Sequence, residues 1–116
     1  MEAMNSEIQG SAIVSIQGLP IASALPRLRT EYGGETNDGI ISAMSAAIIS
    51  VSERAVSELV RGNFKRIMIE GDQGLIILSR AGNNAILCVL TVPNPSLGMI
   101  FLNITATSKK IAELLD

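Results

Sequence analysis

Residues 66–91 read RIMIEGDQGLIILSRAGNNAILCVLT, and this stretch decides the fold. Three apolar runs, Arg66 to Glu70, Leu75 to Arg80 and Ala85 to Thr91, are separated by Gly71, Asp72, Gln73, Gly74 and by Ala81, Gly82, Asn83, Asn84. Both separators are rich in residues that tolerate positive φ and build tight turns. Strand, turn, strand, turn, strand at this spacing predicts an antiparallel meander. Leu75 to Leu78 and Ile86 to Leu90 are apolar without a break, so both faces of these strands need a cover. Helices on each side of the sheet would supply it, making three layers.

Working upstream, the pattern becomes helical. Thr36, Asn37 or Asp38 can cap a helix and Gly62 can end it, with Arg61 in its last turn. Ile41, Met44, Ile48, Val51, Ala55 and Leu59 recur at steps of three or four, a stripe predicted to cover the sheet. The opposite side carries Ile40, Ala43, Ala47, Ser50 and Arg54 on one line, and Ser42, Ser45, Ala46, Ile49 and Ser52 fill the rest. No charge appears between Gly39 and Ser52. Small residues let a second helix approach closely, so the first three turns read as facing a partner. On these residues alone, a helix buried inside its own domain is the equal alternative.

Before the helix, Ala12 to Ile16 and Leu19 to Ser23 flank Gln17 and Gly18 and predict a hairpin. Pro20 lacks an amide hydrogen, which puts its strand at a sheet edge or makes it the first residue of the strand. Residues 25–36 contain Pro26, Gly33, Gly34 and several charges without periodicity, and read as a surface loop. Downstream, Met99 to Thr105 holds β-branched residues compatible with a strand. Helix is the reading adopted, because Ser96 can cap it while Leu97, Ile100, Ile104, Ile111 and Leu114 share one face with Lys109 and Lys110 outside.

A chain of 116 residues is the size of one domain, 1–116. Hydrophobic residues make up 47% and charged residues only 17%, and mean hydropathy is +0.39. So apolar a chain must hide surface in a membrane or against a partner. No run offers the ~20 uninterrupted apolar residues that span a bilayer, which favours the partner over membrane insertion. MEAMNSEIQG has two acids and no Lys or Arg, unlike a signal peptide, so a cytoplasmic location is expected.

The chain carries few side chains suited to catalysis or metal binding. There is no histidine, the side chain most used for proton transfer near neutrality and for metal ligation. Cys88 is the single cysteine and sits among apolar neighbours, which suggests a packed thiol. The acid pairs Glu70 with Asp72 and Glu35 with Asp38 fall in turns or at a helix start, and the Gly-rich turns lack the Lys-Ser/Thr sequel of a phosphate loop. Asn103, Ile104, Thr105 is a chance match to a glycosylation sequon. A net charge of −2 and a pI near 5.1 argue against nucleic acid, and Arg61, Lys65 and Arg66 read as a solvated turn. Tyr32, Phe64 and Phe101 are too scattered to stack bases. No catalytic, cofactor, metal or small-molecule site is expected. An enzyme or metabolite sensor would require an enclosed polar pocket.

Several segments together resemble the Roadblock/dynein light-chain family. They are Gly18 to Ser23 as its first hairpin, Ser42, Ala43, Ser45 to Ala47 and Ser52 to Arg54 in its long helix, then Ile67 to Gly71, Gly74 to Leu78 and Asn94 to Gly98. The resemblance covers nearly everything from Ala12 onward. Family members commonly begin with a helix of several turns, where this chain has only residues 1–10. The resemblance implies an α+β fold: a five-stranded antiparallel sheet with the middle helix on one face and the C-terminal helix on the other. It also implies a homodimer in which middle helices pack together and the strand Arg66 to Glu70 pairs with its copy. The expected seam is then Ile40, Ala43, Met44, Ala47, Ile48, Val51, Ile67 and Ile69. Relatives receive small Ras-like GTPases on the helix face, so Glu53, Arg54, Ser57, Glu58 and Arg61 are the expected contacts for such a partner. A scaffold subunit of a larger assembly, without a GTPase, is the alternative.

Overall fold

The computed structural model describes residues 6–24 and 38–116. Five strands, β1 (Ile8–Ser15), β2 (Pro20–Ala24), β3 (Arg66–Gly71), β4 (Gly74–Arg80) and β5 (Ala85–Thr91), pair in the order β2-β1-β5-β4-β3. All four pairings are antiparallel. Helix α1 (Asp38–Glu58) lies between β2 and β3 in the chain, and α2 (Leu97–Leu115) follows β5. The expected α+β architecture is therefore present, meander and both helices included. Residues 25–37, which contain the expected loop and the capping candidates Thr36 and Asn37, lie outside the described residues.

The central strands carry two hydrophobic cores, one on each face. Ile77, Leu87 and Val89 pack with Ile100, Ile104 and Ile111 of α2, while Val14, Leu78, Ile86 and Cys88 pack with Ile49 of α1. Uninterrupted apolar runs in β4 and β5 are thus explained by a helix on either side.

The first strand corrects the sequence reading. It begins at Ile8 and not at Ala12, so Ile8 to Gly10 belong to the sheet and not to a separate leading segment. A bulge between Ile8 and Gly10 breaks the alternation that pattern reading needs. Its effect is that Ile8 enters the α2-side core while Ala12 and Val14 enter the α1-side core. Pro20 does open β2, an edge strand.

Two carboxylates fasten α2 at its ends. Glu7 accepts the Ser96 N–H at 3.1 Å, satisfying one of the unpaired donors of the helix start, while the Ser96 side chain makes no capping bond of its own. Asp116 accepts the Asn83 N–H at 3.0 Å and the Asn84 Nδ2 at 3.0 Å in the β4–β5 turn. Gly82 sits in that turn at φ +82°, where a side chain would run into Asp116 and Ala112. Ile100, Ile104 and Ile111 are buried as expected, but Leu114 is exposed.

Candidate functional site

Helix α1 is seated on the sheet by its smallest side chains. Its buried residues are Ser42 (1% exposed), Ser45 (4%) and Ile49, and the Ser42 hydroxyl donates to the Asp38 carbonyl at 2.6 Å, so that buried hydroxyl is satisfied. The Ser23 hydroxyl of β2 donates to the Asp38 carboxylate at 2.7 Å and pins the helix start to the sheet edge. Gly18, at φ +92°, brings the β1–β2 turn against the same turns of α1, where a Cβ would lie 3.5 Å from the Ala43 Cα.

This seating corrects the expected orientation. The stripe predicted to cover the sheet is split: Ile41 and Ile48 pack on the margin of the α1-side core, while Met44 (52% exposed), Val51 (70%), Ala55 and Leu59 face outward. Ile40, Ala43 and Ala47 are exposed beside them. From Ile40 to Val51 the outward face of α1 is consequently apolar and uncharged, although Ile41, Ala46, Ile48 and Ile49 already supply the face it turns to its own sheet. By length and composition alone these 21 residues could cross a bilayer; Ser42, Ser45 and Ile49 are the residues of the helix buried against the strands.

The other expected seam residues lie on β3, the strand at the opposite edge from β2. Ile67 packs at the margin of the α1-side core, and alternation puts Ile69 on the same face. Met68 turns to the α2 side, as does Arg66, whose guanidinium carbon lies 4.4 Å from the centre of the Phe101 ring. The apolar face of α1 and the β3 edge thus belong to one side of the molecule.

The charged end of α1 is less uniform than its sequence suggests. Arg80 of β4 reaches Glu53 at 3.3 Å, so Glu53 is held by the sheet. Arg54 and Glu58 form an exposed pair one helical turn apart at 3.9 Å, and the Arg61 Nε donates to the Leu59 carbonyl at 2.9 Å. The helix stops at Glu58, not at Gly62. Val60 donates to the Ser57 carbonyl at 3.2 Å and Arg61 to the Val56 carbonyl at 2.9 Å, with Val60 at φ +54°. This is the Schellman closure, with valine in the left-handed position that glycine usually fills. Beyond it an open groove of about 370 Å³ is lined by Ala55, Val56, Arg61, Phe64, Lys65 and Ile67, among others. The sequence reading assigned Lys65 to a solvated turn and missed the groove, because Phe64 and Ile67 join it to α1 only through the fold.

Cys88 projects from β5 toward α1, buried beside Ser45. Burial pushes its thiol pKa up, and the hydrogen bond with the Ser45 side chain opposes this only partly. A thiol so held is protonated and inert, the packed group expected from its neighbours.

Residues 4–91 match the Roadblock/LC7 domain. The chain belongs to the Roadblock/LC7 family. An uncharacterized protein of Methanocaldococcus jannaschii, MJ1340, is 35% identical to this Roadblock domain over 104 residues, which are 90% of this chain and 84% of the relative. Among solved structures, a Roadblock/LC7 domain from Streptomyces avermitilis superposes with a TM-score of 0.79 at 17% identity, covering 94% of this chain and 86% of its own. Myxococcus xanthus MglB superposes with a TM-score of 0.80, also at 17% identity, covering 97% and 86%. At such identities these two structures speak for the fold alone.

Proposed function

We propose that this Roadblock domain is a non-catalytic interaction module of the cytoplasm, which pairs with a second copy of itself and receives a small Ras-like GTPase. The exposed, uncharged apolar face of α1 from Ile40 to Val51 supports the reading. A helix that turns Ser42 and Ser45 inward and Met44 and Val51 outward is suited to a second apolar surface, and side chains of this size gain roughly 1.5–3 kcal/mol each when fully buried. Ile40, Ala43, Met44, Ala47, Ile48 and Val51 form the helix seam. Ile67 and Ile69 lie on the open edge of β3, where pairing with a copy would satisfy its outer backbone groups. The GTPase reading follows from family resemblance, with Arg54, Ser57, Glu58 and Arg61 as its contacts and Glu53 steadied by Arg80.

Light scattering on the purified chain and on Ala47→Glu tests the self-association; the variant should halve the particle mass at micromolar concentration, and an unchanged mass overturns the seam. Small GTPases of the same organism, loaded with GDP or a GTP analogue, test the second part. Binding to one nucleotide state, weakened by Arg54→Glu with Arg61→Glu, is expected. Binding blind to the nucleotide, or capture of assembly proteins with no GTPase, would leave the scaffold reading in its place.

A further inference from the structure

The outer face of α2, on the far side of the sheet from α1, is a second apolar surface with a built-in charge pattern. From Leu97 to Ser108 the helix carries no charge, and Met99, Leu102 (66% exposed) and Ala106 lie on one outward line. The line continues into Lys109, Lys110 and Glu113, and with the Asp116 carboxylate turned away to Asn83 and Asn84 the outward side chains at this end are positive on balance. The other end is acidic. Glu70 near the end of β3 and Asp72 in the turn after it border the same cavity as Leu97, and the Glu7 carboxylate lies on the Ser96 N–H. Glu70, Asp72, Lys109 and Lys110 make no ion pair among the described residues.

The geometry points to a second copy of this chain as the occupant, its α2 laid antiparallel across the first at Leu102. Twelve residues separate Leu97 from Lys109, about 18 Å of helix at 1.5 Å per residue. A two-fold axis near Leu102 therefore carries the lysines of each copy to the acidic end of the other. The surface is self-complementary under this one operation, as a two-fold interface must be. A parallel arrangement would stack lysine on lysine and acid on acid. The apolar half of each helix then covers the other, while both charge sets meet opposite charge at the rim, where they fix register more than affinity. Because this contact and the α1 seam occupy opposite faces of the sheet, both can form at once, and the particle is a dimer of dimers.

The test uses the full chain and its particle mass by light scattering, with circular dichroism to show that each variant is folded. Leu102→Glu should halve the wild-type mass. Lys109→Glu with Lys110→Glu should do the same, and so should Glu70→Lys with Asp72→Lys; the four reversals combined should restore the wild-type mass. High salt should weaken the wild-type particle. An unchanged mass for Leu102→Glu, or a combined variant that stays halved, overturns the proposal. The α1 reading fails separately: in that case Ala47→Glu leaves the mass unchanged while Leu102→Glu still halves it.

Discussion

The carboxylate of Asp116 lies 3.0 Å from the amide nitrogen of Asn83, across 33 positions of sequence, and closes α2 onto the β4–β5 turn. Removing it in Asp116→Ala should lower unfolding free energy by about 1 kcal/mol, as expected for an exposed but charge-assisted hydrogen bond. Gly82→Ala should cost more, because it combines a left-handed φ of +82° with the loss of room for Asp116. Urea titration of both variants checks the order; a Gly82→Ala protein as stable as wild type would show that the turn can give way.

Val60 offers the opposite experiment. A β-branched residue at φ +54° is strained, and its side chain is almost fully in solvent, so nothing local compensates. Val60→Gly should raise stability by ~0.5–1 kcal/mol despite the greater freedom of glycine in the unfolded chain. A lower urea midpoint would mean that Val60 is covered in the particle that was measured.

The seating of α1 predicts an asymmetry between neighbouring positions. Ser45→Leu forces a large side chain between helix and strands and should destabilise by roughly 1–3 kcal/mol. Met44→Leu, on the outer face, should stay within about 0.5 kcal/mol. Paired thermal or urea unfolding decides it, and equal effects would contradict the orientation of the helix.

Cys88 makes stability fall in alkali. Burial raises the folded-state pKa of the thiol, so the folded chain holds a proton that the unfolded chain releases. The contribution is intact below the unfolded-state thiol value, about 8.5, and declines as pH rises beyond it toward the folded value. Unfolding free energy measured from pH 7 to 10 should drop more in the wild type than in Cys88→Ala. Parallel curves would show that other groups govern the alkaline limb.

Most of the fold was legible because β3, β4 and β5 are apolar runs cut by turns rich in Gly and Asn, and because α2 follows two prolines and Ser96 with an apolar face at helical spacing. The orientation of α1 was not. Hydrophobic periodicity finds the greasiest stripe of a helix and assigns it to the protein's own core. Here Ser42 and Ser45 allow close approach to the sheet, and the larger Met44 and Val51 are left outside. A pattern that reads only polarity cannot tell a core from an interface. The end of α1 was misplaced for a related reason: Gly62 signals a stop, yet the chain turns at Val60, against local preference. Leu114 fell on the predicted inner face of α2 but lies in solvent in the last turn of the helix. The groove beside Phe64 and Lys65 joins segments distant in sequence, and no local motif announces it.

The bulge at Gln9 has a consequence for how the molecule comes apart. It adds Ile8 to the α2-side core, which Ile13 also borders, while Ala12 and Val14 fill the α1-side core, so β1 is held in both. Neither helical layer can be released while the strand keeps all its contacts. Amide protons of β1 and of its neighbour β5 should therefore exchange with solvent only when the whole domain opens, as one cooperative unit.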